Sequence, residues 1–203
     1  MSAAGYEQNV FINCPFDKPY KRMFDAVVFA VFDCGFVARS ALEITNTAEV
    51  RVEKITRIID ECRFGLHDLS RTSLDRVSRL PRFNMPFELG LFLGIARHAS
   101  GKSCLGVDRD RYRYQKFISD ISGQDIAAHN NEPEAAIRVV RNWLRSSQTE
   151  GSVPGGAHIW TRYQSFRRRL PAICSDLRLK PSEMIFNDYA TIAAEWIAEN
   201  AEF

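Results

Sequence analysis

Short apolar runs alternate with longer stretches that are apolar at helical spacing, and that alternation restricts this chain to few architectures. Residues 10–13 form an apolar strand leading into Asn-Cys-Pro-Phe-Asp, and residues 20–33 carry Met23, Phe24, Val27, Val28 and Val31 at helical spacing, with Gly35 as the stop. Residues 36–38 make a second strand that runs into Arg39-Ser40-Ala41-Leu42-Glu43, after which Val52, Ile55, Ile58, Ile59 and Cys62 mark a second helix. Residues 64–69 form a third strand ending in His67-Asp68-Leu69-Ser70-Arg71. A polar loop over residues 72–82 leads to Phe83-Asn84-Met85-Pro86-Phe87-Glu88-Leu89-Gly90. Pro86 suits the first helical position there, and apolar residues lie nearly all round through Ala96, so this helix is expected to be buried. Residues 103–107 give a fourth strand ending at Asp108, residues 125–128 a fifth, and Asn131-Glu132-Pro133 opens a helix bearing Ala136, Ile137, Val140, Trp143 and Leu144.

Strands separated by helices need crossover connections, which implies an α/β fold with a mainly parallel sheet of about five strands and helices on both faces. Such sheets place ligands at the carboxyl ends of their strands. Four expected strand ends carry polar or charged residues: Asn13 with Asp17, Arg39 with Glu43, Asp68 with Ser70, and Asp108. They converge on one rim.

With 203 residues, 45% of them hydrophobic, the chain can bury one core and carry an extension. The expected division is an α/β domain over 1–147, a linker over 148–156 (Q-T-E-G-S-V-P-G-G, the one linker-like change of composition) and a helical C-terminal extension over 157–203. Residues 152–181 hold six basic groups against Asp176 alone, whereas residues 182–203 hold five acidic groups and no Lys or Arg. Opposed charge on two expected helices implies that they pair, within one chain or between chains. A net charge of +2 supplies no overall drive toward nucleic acid or an anionic membrane, and the Arg167-Arg168-Arg169 patch is the candidate nucleic-acid surface, with nucleic acid not the expected partner. Five scattered cysteines without a C-x-x-C imply a reducing compartment. The N-terminus lacks the pattern of a signal peptide and no run reaches ~18 apolar residues, so a soluble cytoplasmic protein with no membrane partner is expected.

Glu88 is the lone charged residue between Phe83 and Ala96 and shares helical spacing with Leu91, Phe92 and Ile95, which turns it toward the packed side. With Pro86 first in the helix, Glu88 is third, where free N–H groups and the helix dipole favour an ionised carboxylate. It is either ordinary helix-start chemistry or a nucleophile in a partly dry cleft. Asp68 ends a strand on the same rim, either capping a turn or dividing acid–base work with Glu88. Asn13 can hydrogen-bond a ligand and Phe16 can stack on a flat ring, although an Asp-capped turn over Pro15, Phe16 and Asp17 is the plainer account. Arg39 and Glu43 are either a surface ion pair or contacts to phosphate and sugar. Gly90 and Gly94, one turn apart, are expected to let their helix approach the sheet closely. Tyr112-Arg113-Tyr114-Gln115 interleaves aromatics with a base and either grips a nucleotide or, the plainer account, is a surface loop with its rings on the core. The four histidines form no H-x-x-x-H pair, so no metal site is expected, and dinucleotide and P-loop glycine motifs are absent.

Together, F-I-N-C-P-F-D after the first strand, D-L-S-R after the third and N-M-P-F-E-L-G-L-F-L-G opening the next helix resemble the nucleoside 2-deoxyribosyltransferase-like superfamily, over roughly residues 9–147. The resemblance implies a flavodoxin-like, doubly wound sheet, close in architecture to nucleotide N-glycosidases and TIR domains. It also implies that Glu88 attacks the anomeric carbon of an N-glycoside with Asp68 assisting, and that Asn13, Pro15, Phe16 and Asp17 contact base or sugar. Ser70, Arg39, Glu43, Arg82, Asn84 and Met85 complete the substrate-binding set, with Arg39 or Arg82 meeting a phosphate. The segment before Glu88 departs from the Gly- or Asp-rich approach frequent among the transferases, which leaves the substrate open. The expected activity is N-glycosyl hydrolysis, or (deoxy)ribosyl transfer, on a nucleoside, a nucleotide or an NAD-like compound, with no cofactor and no metal. Similar domains serve as effectors in bacterial anti-phage systems. The alternative is a non-catalytic nucleotide-sensing or assembly module. In either case the C-terminal helices are expected to carry contacts to a protein partner or to further copies of the chain.

Overall fold

Two strands buried along their whole length set the centre of the molecule. β1 (Asn9–Asn13) and β3 (Phe64–Asp68) lie side by side in the computed structural model, which describes residues 3–72, 74, 79–148 and 152–201. Residues 73 and 75–78 of the expected polar loop and 149–151 of the expected linker lie outside the described residues. Strands covered on both faces read as continuous apolar runs, which is why these segments show no polar alternation. β2 (Val37–Arg39), β4 (Ser103–Asp108) and a short β5 (Ala127–Ala128) complete an all-parallel sheet in the order β2-β1-β3-β4-β5. This is the flavodoxin-like order, with its topological switch point between β1 and β3.

The helices are α1 (Ala3–Tyr6), α2 (Lys21–Asp33), α3 (Arg51–Asp60), α4 (Asn84–Ala96), α5 (Pro133–Ser146), α6 (Gly156–Asp176) and α7 (Phe186–Glu199). Strand alternation divides the core. Val10, Ile12, Phe64 and Leu66 face α2 and α5, while Phe11 faces the opposite way, among Ile55 and Ile58 of α3 and Phe92 of α4. Leftward and rightward crossovers of one hand must lie on opposite faces, so α2 parts company with α3 and α4.

Three features of α4 differ from the sequence expectations. It begins at Asn84, so Pro86 is its third residue and Glu88 its fifth; the missing proline N–H still falls in the first turn, where helical N–H groups have no intrahelical acceptor. Its outer face is open, with Phe83 63% and Phe87 56% exposed beside it. Gly90 and Gly94 lie on that side, where an added Cβ would meet nothing within 4 Å. The close approach is made by Gly65 of β3, whose added Cβ would stand 2.5 Å from the Phe92 ring.

The C-terminal helices join the α2/α5 face. Phe29 of α2 stacks on Phe166 at 5.2 Å and lies 5.4 Å from Tyr163 and 6.0 Å from Trp196. Buried Arg162 stands 3.1 Å from Asp33 Oδ1 and donates to the carbonyls of Ile197 and Asn200, so one cation ties α2, α6 and α7 together. The two oppositely charged helices therefore pair within the chain. Arg141 donates to the carbonyls of Val153 and Pro154, which fixes the end of the expected linker against α5. Among the described residues no helix is long and apolar enough to cross a membrane.

Candidate active site

At the carboxyl end of the β1/β3 junction, strand parity decides what faces what. Asn13 and His67 are paired across the two strands and both point to the α4 side, where His67 packs edge-on to Phe11 and Phe92. Asn13 Nδ2 donates to His67 Nδ1 at 3.0 Å and to the Met85 carbonyl at 2.9 Å. The imidazole thus accepts through Nδ1 and carries its proton on Nε2, and burial pushes its pKa down to about 3. Among the described residues Asn13 Oδ1 and His67 Nε2 have no hydrogen-bond partner. The amide pins the first turn of α4 to the sheet, and Glu88 stands one turn beyond the pinned carbonyl.

Glu88 is 3% exposed, and among the described residues no group donates a hydrogen bond to its carboxylate. Its nearest opposite charge is Arg51 Nη2 at 3.9 Å, on a side chain that is itself more than half exposed. Burial outweighs that weak attraction and pushes the carboxyl up to about 7. This overturns the expectation that free N–H groups and the helix dipole keep it ionised: as the fifth helical residue it is past the first turn, where that stabilisation acts.

Asp68 points to the other side of the sheet. Its Oδ1 accepts from the Ser70 N–H at 2.7 Å, and its Oδ2 accepts from the Tyr20 hydroxyl and stands 3.0 Å from His129 Nε2, at an angle short of good hydrogen-bond geometry. Burial alone would raise this carboxyl; His129, Ser70 and Tyr20 together outweigh burial and hold it below the ordinary carboxylate value. His129 Nδ1 accepts from the Asn131 N–H, so the cluster ties the starts of α2 and α5 to the end of β3. Cys14, at the end of β1, feels both carboxylates: burial first, then the charges of Asp68 and Glu88, push its thiol well above the ordinary value. The two acids therefore flank the end of β1 from opposite faces.

The remaining expected site residues divide by what already holds them. Arg39 makes a two-pronged pair with Glu43, 2.6 Å at its shortest, and a second pair with Glu61 at 2.9 Å, so the ion-pair account of Arg39 and Glu43 describes the structure. Arg82 stands 3.0 Å and Arg71 3.5 Å from Asp17, which also accepts from the Tyr20 N–H. Pro15 is buried, Phe16 packs edge-on to Phe24 at 5.5 Å, Met85 is buried, and Asn84 is exposed at the start of α4. Ser70 is buried, and its hydroxyl has no hydrogen-bond partner among the described residues. Asp108 is held by Arg113 at 2.8 Å and by the Arg109 N–H, while Tyr114 is buried and Tyr112 exposed in their loop.

Sequence reasoning missed Tyr20 and His129. His129 directly follows β5, so the strand-end rule that singled out Asp68 applies to it as well; nothing local marked Tyr20. Among the described residues no group of three or more His, Cys, Asp or Glu side chains is placed to hold a metal. Comparison with family models, curated proteins and solved structures finds no match to the chain.

Proposed function

We propose that the chain is an N-glycosidase of the nucleoside 2-deoxyribosyltransferase-like kind, acting on a nucleoside, nucleotide or NAD-like N-ribosyl bond with Glu88 as nucleophile. The observation that carries this reading is a buried carboxyl at the sheet's carboxyl end, without a hydrogen-bond donor among the described residues and raised to about 7, on a helix pinned in place by Asn13. Its ionised form attacks C1′ and the C1′–N bond breaks with its electron pair leaving on the base, which takes a proton from solvent when it leaves as an anion and none when the pair neutralises a pyridinium nitrogen, as in an NAD-like compound. Water, or an acceptor base, then resolves the glycosyl ester and frees Glu88. Asp68, with both oxygens engaged, acts as a positioning residue for the rim loops. The inward faces of α6 and α7 belong to the core, so contacts to a partner or to further copies fall to their outward faces, including Arg167, Arg168 and Arg169.

The test incubates wild type and Glu88→Gln with a panel of nucleosides, nucleotides and NAD and follows free base by chromatography. Base released by wild type alone, at a rate that rises with pH through about 7 as Glu88 ionises, is expected. Equal release by both proteins overturns the nucleophile.

A second reading, a non-catalytic nucleotide-sensing or assembly module, is favoured by the internal engagement of both Asp68 oxygens, which leaves that carboxylate none for acid–base work. Ligand-dependent melting without base release from any compound would select it.

A further inference from the structure

Both arginines expected to meet a phosphate are occupied, Arg39 by two carboxylates and Arg82 by Asp17. On the same rim, on the α2/α5 side, lies a cavity of about 400 Å³ whose lining is predominantly polar. Arg22, Arg71 and Arg109 contribute three positive charges to its wall and Glu132 one negative. Arg22 makes no ion pair among the described residues. Arg109 pairs with its neighbour Asp110, a half-exposed contact worth little, and Arg71 shares Asp17 with Arg82, so the wall keeps a positive excess. Ser70, 2% exposed, belongs to the same lining, and its buried hydroxyl has no hydrogen-bond partner among the described residues. Buried polar groups are ordinarily satisfied, so an unpartnered hydroxyl on a residue that lines a positively charged cavity is a donor left over for an anion. The start of α5 adds the positive end of its dipole.

We propose that this cavity binds a phosphoryl group, on the proposed function one carried on a ribose, with Arg22, Arg71 and Arg109 as its cations and the Ser70 hydroxyl as a donor. A chain of contacts from Arg71 to Asp17 to Arg82 joins the cavity wall to the segment before α4, and a nucleotide whose phosphate sits here is placed with its ribose toward Glu88. That last placement rests on the proposed function; the phosphate site rests on its own lining.

Titration calorimetry at low salt tests it, using ribose 5-phosphate, ribose and inorganic phosphate as probes with the full chain. Ribose 5-phosphate is expected to bind, ribose not to, and Arg71→Ala/Arg109→Ala to weaken binding at least tenfold. The control Arg168→Ala/Arg169→Ala, which removes equal charge from the outer side of α6, is expected to leave binding within twofold. Melting curves check that each variant is folded, and Ser70→Ala supplies a milder probe with an expected severalfold loss. Equal weakening by both arginine pairs, or no binding of ribose 5-phosphate, overturns the site; binding of inorganic phosphate alone overturns the ribose assignment. Ribose 5-phosphate carries no base to release, so its binding is read independently of turnover, and failure of the glycosidase reading and failure of the phosphate site are separable.

Discussion

A carboxyl buried on a helix without a hydrogen-bond donor is disfavoured as an anion, and Glu88 shows what that does to pH dependence. Its ordinary value is 4.5 and its folded value about 7. Between those limits the folded chain holds a proton that the unfolded chain has lost, so stability falls as pH rises from 4.5 to 7 and levels off above. The ceiling on this loss is about 3 kcal/mol. Glu88→Gln escapes it, so its melting temperature should rise relative to wild type, with a small gap near pH 5 that is widest above pH 7. A gap that stays constant with pH would contradict the burial account. Glu88 was legible in the sequence because it interrupts an apolar helix. The direction of its shift was not, because that depends on where the helix begins, and moving Pro86 from first to third position carries Glu88 out of the turn that would have stabilised its charge.

Helix α4 reverses the roles the sequence assigned to its glycines. Spacing marks Gly90 and Gly94 as a pair on one face but does not say which face, because apolar residues surround the helix and leave no polar stripe to orient it. The structure turns them outward and makes Gly65 the point of contact with Phe92. Gly90→Ala and Gly94→Ala should therefore each stabilise by about 1 kcal/mol, the gain of alanine over glycine inside a helix. Gly65→Ala should cost about 1–3 kcal/mol through overpacking against the ring. Urea midpoints measured on the three variants decide the matter: loss of stability at Gly90 and Gly94 would mean that their face is covered. The strands were easier to read, since each apolar run ends in a polar residue at the rim. Parity along β3 then separates Asp68 from His67, a distinction that composition cannot show and that leaves the two candidate acids on opposite faces.

At the scale of the molecule, the sheet is covered unequally. α6 and α7 both add to the α2/α5 face, so the α3/α4 face remains a single helical layer with Phe83 and Phe87 open to solvent. The change of composition near residue 148 marks where the last two helices begin, but it carries no sign of how much of the core they supply. Tyr163, Phe166, Ile192 and Trp196 lie in the same apolar cluster as Val10 and Phe29. A chain ending at residue 147 is therefore expected to lose cooperative thermal unfolding and to bind apolar dyes, as measured by calorimetry and dye fluorescence. A sharp transition from that fragment would show that the first 147 residues fold without the terminal helices.

The aromatic packing of that face also decides what light can report. The three tryptophans are Trp143, Trp160 and Trp196, on α5, α6 and α7. Trp143 stacks edge-on to Phe64 and donates to Ser103, at the amino ends of β3 and β4, while Trp160 neighbours Tyr163 and Trp196 neighbours Phe166. Intrinsic emission is thus a gauge of how the last third of the chain sits on the sheet, and it is blind to the rim that holds Glu88 and Ser70. A tryptophan placed at Phe83 or Phe87 would give that rim an optical voice of its own.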